Sequence, residues 1–398
     1  MSPPRRYLDN AATSWPKPPE VFAAWRRAAE DVGATAGRGA YSAAVEAEAI
    51  RARARTAAAR LLGGVDPARV ALPAGCTLAL NMALHGLVRP GDHVIATAAD
   101  HNAALRPLHW LESRGVIDLT VVPCDGLGRV DPAAIASVWR PATRLVTVSH
   151  ASNVTGVVQD AGAIGAIAHA RGGLLVLDAA QTFGLLPCDV AASGADVVAA
   201  PAHKWLLGTS GAGILWVREG LEPEPLVQGG TGSLSDSLDM PAAFTARMEA
   251  GTPDVPALAA LAAAAEWLEA RGIEAAAATP TRLAATCAAR LAEIRGVRVF
   301  AVGGAPIVSF TVEDYDPAEV AALLEQLAGV QVRSGFHCAA CVHEHLGTAR
   351  GGTVRASFGL FSTDADVAAV VTAVETIVTG EMLVTGEALV TESPAAET

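Results

Sequence analysis

The chain has 398 residues; half are hydrophobic, only 18% are charged, and the net charge is −12. That length accommodates two or three domains with substantial cores, and the acidic balance disfavours nucleic acid or an anionic membrane as a general partner. No apolar run approaches the roughly 18 residues of a spanning helix, and the start Met1–Arg6 lacks the apolar core of a secretory signal, so we expect a soluble cytoplasmic protein. The six cysteines are scattered, and a chain of this size needs no disulfide staples. Only Cys338 and Cys341 have motif spacing. A single C-x-x-C without a second pair is weak evidence for zinc, and no metal is expected.

The arm from Tyr7 carries too much proline and polar matter for a regular element. Pro18-Pro19 then starts a helix, because the missing proline N–H costs nothing in a first turn. A Gly-rich loop from Gly33 to Tyr41 holds Arg38, and a long Ala/Arg helix follows from about Ala43 to Leu62. After a short strand at Val70, the small-residue turn Ala74-Gly75-Cys76-Thr77 runs into an apolar helix. Backbone N–H groups and a hydroxyl hold phosphate at such a helix start. Taken alone, the turn reads more readily as an ordinary cap by Thr77.

From there strands and helices alternate. Strands are expected at His93–Ala98, Asp118–Val122 and Arg144–His150, with helices through Trp110, from Asp131-Pro132 and over Ala161–Arg171. The pure apolar run Leu174–Leu177 reads as a buried parallel strand ending on Asp178. A second run, Asp196–Ala200, delivers His203 and Lys204. Two neighbouring strands then aim a carboxylate and an amine at one pocket, as a Schiff-base cofactor requires. The alternative is an ordinary core strand beside a surface lysine. His101, Asn153, Asp178 with Gln181, and Lys204 each sit just after a strand, the placement expected of a sheet with one ligand edge.

Gly213 opens a further strand, and Ala/Leu helices cover Val255–Arg271 and Glu274–Ile294. A second unit reads as strand Ile307–Val312, helix Pro317–Leu327, strand Val330–Arg333, a loop bearing His337 and Cys338, strand Thr353–Phe358 and helix Asp364–Thr379. Four units are expected: an arm (1–20), a large domain (21–255), a small domain (256–380) and a disordered tail (381–398). A short tandem repeat runs from Thr379 into that tail.

With Leu8–Thr13, Asn153–Gly156, Asp178–Gln181, His203-Lys204 and Arg333–Ala339 in this order, the chain resembles the class V aminotransferase superfamily. Within it the match is to cysteine desulfurases and selenocysteine lyases, in the variant with a short loop before the cysteine. The resemblance implies an α/β pyridoxal 5'-phosphate (PLP) enzyme of fold type I. That fold has a large domain with a seven-stranded mixed sheet, a small α/β C-terminal domain and a homodimeric assembly.

Carried onto this sequence, Lys204 is the Schiff-base lysine, Asp178 faces the pyridine nitrogen, Gln181 the phenolic oxygen, and His101 stacks on the ring. Cys76 (through its amide), Thr77 and His203 hold the phosphate, and Thr252 reaches the partner subunit's phosphate. Asn153 and Arg355 take the substrate carboxylate, and Cys338 attacks the substrate sulfur. The implied reaction converts L-cysteine to L-alanine with a persulfide on Cys338 for a sulfur-acceptor protein. Selenocysteine or another C–S substrate is the nearest alternative, and a non-enzymatic sulfur-carrier or scaffold subunit a third. Cys76, Asp100, Ala340 and Cys341 depart from the family pattern.

Overall fold

The structure, a computed structural model, describes residues 3–233, 236–300 and 303–380. Its centre is a seven-stranded mixed sheet in the order Val70–Ala71, Gly213–Val217, Val197–Pro201, Leu174–Asp178, Thr143–Ser149, Asp92–Thr97, Ile117–Val122. Gly213–Val217 runs antiparallel to both neighbours, and the other six strands all point the same way. Leu174–Asp178 sits in the middle. Its apolar residues are buried on both faces, which is why it reads as an unbroken apolar run without alternation.

The chain moves from Asp92–Thr97 outward to Ile117–Val122, then returns to the other side of Asp92–Thr97 with Thr143–Ser149. Loops on either side of such a reversal part and leave a crevice at the carboxyl ends of the strands. Asp100-His101, Asn153, Asp178 and His203-Lys204 all follow strands at that edge. Two apolar clusters flank the sheet, and helix Val255–Arg271 packs on Ser42–Leu61 and Pro19–Arg27 over one face.

The C-terminal unit is a four-stranded antiparallel sheet ordered Arg333–Gly335, Thr353–Ser357, Ile307–Val312, Val297–Val299. Helices Ile273–Ala292, Pro317–Ala328 and Asp364–Thr379 close over it around a third cluster. Three details differ from the sequence reading. The run Val330–Arg333 is split: Val330–Gln331 pairs in parallel with Arg6–Tyr7, and Arg333 belongs to the four-stranded sheet. The N-terminal arm therefore contains a short strand, its register set by Arg6 and Leu8 N–H donating to the Gly329 and Gln331 carbonyls. A helix Ala340–Leu346, unannounced by any apolar period, follows Cys338 directly. Among the described residues no helix is long and apolar enough to cross a membrane. The expected disordered tail, 381–398, lies outside the described residues.

Candidate active site

Asp178 closes the central strand, in register with Ala199 of the neighbouring strand that leads to Lys204. Its Oδ1 accepts from the Ala180 amide at 2.9 Å and lies 3.5 Å from the Cys76 sulfur. Burial lowers the Lys204 ammonium below its ordinary value, and the Asp178 charge partly opposes that shift. The lowered value raises the share of neutral amine, the form that adds to a carbonyl. The preceding peptide is held from outside: the His203 carbonyl accepts from Ser14 N at 2.9 Å, Thr13 Oγ1 at 3.0 Å and Lys17 Nζ at 3.3 Å.

One end of the cavity is the start of helix Cys76–Leu87, whose first N–H groups carry no side-chain cap. This start packs against Gly213; a Cβ there would lie 2.6 Å from the Gly75 carbonyl carbon. Only a glycine lets the turn settle so deeply on the sheet. His203 Nδ1, close by, is buried without a partner, and burial holds its ring down to about 4. Uncapped amides at a positive helix end, with a neutral histidine left unsatisfied, suit an oxyanion such as phosphate.

His101 Nδ1 accepts from the Ala103 amide at 3.0 Å, so the side chain caps helix Asn102–Ser113 while lining the cavity. Burial lowers the ring to about 4. A neutral imidazole accepting at Nδ1 carries its proton at Nε2. Asp100 beneath it is fully buried and accepts from the Thr97 and Ser149 amides, and burial raises its carboxyl to about 7. Gln181 donates to the Ala11 carbonyl at 3.0 Å and accepts from Trp205 Nε1 at 2.7 Å, which leaves one amide N–H.

The opposite wall comes from the C-terminal unit. Arg355, 1% exposed, donates to Asp9 Oδ1 at 2.6 Å and to the Asn153 carbonyl at 3.0 Å, while its Nε–H is buried without a partner. Asn153 Nδ2 donates to the His337 carbonyl at 2.6 Å. His337 and Cys338 both have positive φ, 51° and 60°. Two non-glycine residues in that region form a sharply turned loop that persists only when its surroundings hold it. Here Asn153 grips the first carbonyl, and the Asn102 amide grips the second at 2.8 Å. The Cys338 thiol is exposed and lies 3.3 Å from an Arg333 guanidinium nitrogen.

Cys76, Thr77, His101, Asn153, Asp178, Gln181, His203, Lys204 and Arg355 thus line one cavity of about 710 Å³. Cys338 does not: it opens onto an adjoining cavity of about 560 Å³ that shares Thr77 and His101 with the first. Thr252 is exposed and lines a third cavity, behind Ala74 and Leu78. Asp9, within the Leu8–Thr13 motif, is a residue of the site that sequence reasoning did not assign; Arg333, which opens the Arg333–Ala339 motif just upstream of Cys338, also lines the main cavity. Cys341 is half-buried and packs against both apolar clusters of the large sheet. Among the described residues no cluster of His, Cys, Asp or Glu is arranged for a metal ion.

A lysine and a carboxylate on adjoining strand ends, an uncapped helix start and a buried arginine line one cavity of an α/β fold, with groups suited to anionic ligands. The comparisons agree. The profile of the Aminotransferase class-V family matches residues 6–370. A probable cysteine desulfurase of Methanothermobacter thermautotrophicus is 36% identical over 91% of this chain and 92% of its own length. Cysteine desulfurase CsdA of Escherichia coli is 31% identical over 93% of each chain. The apo structure of a cysteine desulfurase from Thermococcus onnurineus NA1 superposes with a TM-score of 0.87 at 29% identity, covering 94% of both chains. The chain belongs to the class V aminotransferase family.

Proposed function

We propose that the chain is a PLP-dependent cysteine desulfurase that takes sulfur from L-cysteine, leaving L-alanine and a persulfide on Cys338. The observation that carries this reading is the meeting of three groups: Lys204 beside Asp178, Arg355 across the cavity, and the Cys338 thiol against Arg333 at the rim. The residues present fit the cofactor: a cavity of about 710 Å³, an uncapped helix start and an unpartnered His203 nitrogen suit a phosphorylated ring. Bound there, PLP supplies an aldehyde for the amine and a ring that withdraws electrons from the substrate Cα.

The residues divide the remaining work. Lys204 Nζ would hold the cofactor, remove the Cα proton and return a proton. Asp178 would keep the ring nitrogen protonated. The Cys76 amide, Thr77 and His203 would take the phosphate, His101 would face the ring, and Gln181 would offer its free N–H to the phenolic oxygen. Arg355 Nε–H receives the substrate carboxylate, and the second Nδ2–H of Asn153, the one not given to the His337 carbonyl, is the donor beside it. Cys338 attacks as thiolate: a new S–S bond forms, the Cβ–S bond breaks, and Cβ gains a proton. The balance is L-cysteine plus Cys338 thiol giving L-alanine plus Cys338 persulfide. A thiol on an acceptor protein then removes the outer sulfur.

A homodimer fits the same reading. Thr252 is exposed outside its own chain's main cavity, and Leu226, Val227 and Leu238 are exposed nearby in sequence. We place the protein in the cytoplasm.

One observation favours a second reading. The Cys338 thiol opens onto the outer cavity, and selenium, a better leaving group than sulfur, departs from selenocysteine without a persulfide. Wild type and Cys338→Ala, each assayed for alanine from L-cysteine and from selenocysteine, with mass spectrometry of the Cys338 peptide, separate the two. A desulfurase loses alanine formation from cysteine in the variant and shows a sulfur adduct on wild-type Cys338. Selenocysteine activity retained in the variant, with no adduct in the wild type, selects the lyase. An intact Lys204 and Asp178 argue against a scaffold, and a purified protein with no yellow colour would select it.

A further inference from the structure

Arg355 already has a carboxylate. Asp9 Oδ1 sits 2.6 Å from its Nη2, although the guanidinium is the group read above as the receiver of the substrate carboxylate. The two residues lie 346 positions apart, joined where the N-terminal arm runs beside strand Thr353–Ser357. The backbone of Asp9 is fixed without help from its side chain. Its carbonyl accepts from the Tyr7 hydroxyl and the Ala12 amide, both at 3.1 Å, and Asn10 and Ala11 are tied to Ser357. The Asp9 carboxylate is therefore free to act on charge alone.

The charge it meets is unusual. Arg355 is buried, and burial pulls its guanidinium below the ordinary value while Asp9 pushes it back up. Arg333 stands directly opposite it across the strand pair, and like charges so placed repel. A buried cation with a cationic neighbour needs an anion to stay in place. Asp9 is that anion. It leaves the Nε–H of Arg355 open and pairs Arg355 within the protein, so that Arg333 remains the cation facing the Cys338 sulfur.

We propose that Asp9 is a built-in counter-ion that lowers the affinity of Arg355 for the amino-acid carboxylate, so that the alanine product is released. Without Asp9 the ligand carboxylate takes over the neutralisation of the Arg355 guanidinium, and the ligand binds more tightly. Asp9 is thus a positioning and affinity-setting residue, not a catalytic one. The inference rests on Arg355 receiving the carboxylate.

The test measures dissociation constants on the PLP-loaded enzyme from the change in cofactor absorption. L-Alanine carries the carboxylate; L-alaninamide keeps the amine but lacks that charge. In Asp9→Asn the constant for L-alanine falls roughly tenfold, the scale of one unscreened neighbouring charge, while that for L-alaninamide stays put. Asp9→Glu keeps the charge and stays near wild type for both ligands. Asp9→Ser, smaller than Asn, moves the two ligands in the same sense as Asp9→Asn. An unchanged or weaker affinity for L-alanine in Asp9→Asn overturns the proposal, as does an equal shift for both ligands. Arg355→Lys is the separate control. If it leaves L-alanine binding intact, the reading of Arg355 is what fails; if it abolishes binding while Asp9→Asn changes nothing, only the role of Asp9 fails.

Discussion

Asn153 Nδ2 donates to the His337 carbonyl at 2.6 Å, so a side chain from the large sheet holds the peptide immediately before Cys338. The same residue offers its main-chain carbonyl to Arg355. Substrate recognition and nucleophile placement therefore meet at one residue, its side-chain amide on the loop and its main-chain carbonyl on Arg355.

Removing that amide frees the turn. In Asn153→Ala the His337 carbonyl loses its donor, and the positive-φ pair at His337 and Cys338 loses one of its two backbone anchors. A buried acceptor left unpaired costs about 1–3 kcal/mol, enough to relax a single turn. We expect altered alkylation of Cys338 by iodoacetamide together with alanine formation from L-cysteine reduced by roughly tenfold or more. Asn153→Asp, which turns an acceptor toward an acceptor, behaves no better. Alkylation and turnover both at wild-type rates in Asn153→Ala mean that the loop is held by other contacts.

Gly213 tests the phosphate end. An added Cβ would meet the Gly75 carbonyl carbon at 2.6 Å, a backbone contact that no rotamer relieves. Gly213→Ala must displace the start of helix Cys76–Leu87, moving its amides away from the place proposed for the phosphate. The expected result is a folded protein that loses its cofactor on dialysis, read as a fall in the visible absorption per polypeptide. Undiminished retention would place the phosphate elsewhere.

Much of the large domain was legible because each strand is a short apolar run with its chemistry at the carboxyl end. Leu174–Asp178 is the clearest case: burial on both faces leaves no polar alternation to confuse the reading. Asp9 was not assignable, nor was the pairing of Arg333 with Arg355. Each depends on contacts that register alone decides: the arm lying on strand Thr353–Ser357, and Arg333 pairing across to Arg355. Local propensity was equally silent about the split at Val332, because the two halves of that run serve different sheets. Cys338 was identifiable as a motif residue, but not its opening onto the outer cavity, which follows from the turn at His337.

Acid stability follows from buried histidines. Burial lowers His101, His150 and His203 from 6.5 to about 4. A depressed histidine stabilises the fold fully above its unfolded value, and that contribution is lost as pH falls toward about 4. Asp100 works in the opposite sense. Its carboxyl is raised from 3.8 to about 7, so its contribution is greatest below about 4 and is lost as pH rises through about 7. His150 lies outside the main cavity and bonds Thr182 Oγ1 at 3.0 Å. His150→Gln should flatten the loss of urea resistance between neutral pH and about pH 4. An acid limb as steep as that of wild type would assign the loss to other groups.

The contact of Arg333 with Cys338 yields the most direct test of the chemistry at the rim. The guanidinium nitrogen lies 3.3 Å from Sγ, and the same side chain lines the main cavity, so Arg333 spans the gap between the thiol and the substrate chamber. Its charge is permanent, and it donates to anionic sulfur more strongly than to a neutral thiol. The contact is exposed to solvent and contributes at most about 1 kcal/mol, so Arg333→Ala should slow iodoacetamide capture of Cys338 at neutral pH by roughly two- to fivefold. Arg333→Lys keeps the charge but not the planar fork and should fall between. The binding of L-alanine, read from the cofactor spectrum, should change far less, since Arg355 keeps Asp9 and its own free N–H. Capture at the wild-type rate in Arg333→Ala would show that the contact aligns the loop without activating the thiol. A loss of L-alanine binding as large as the loss of thiol reactivity would instead place Arg333 on the substrate carboxylate.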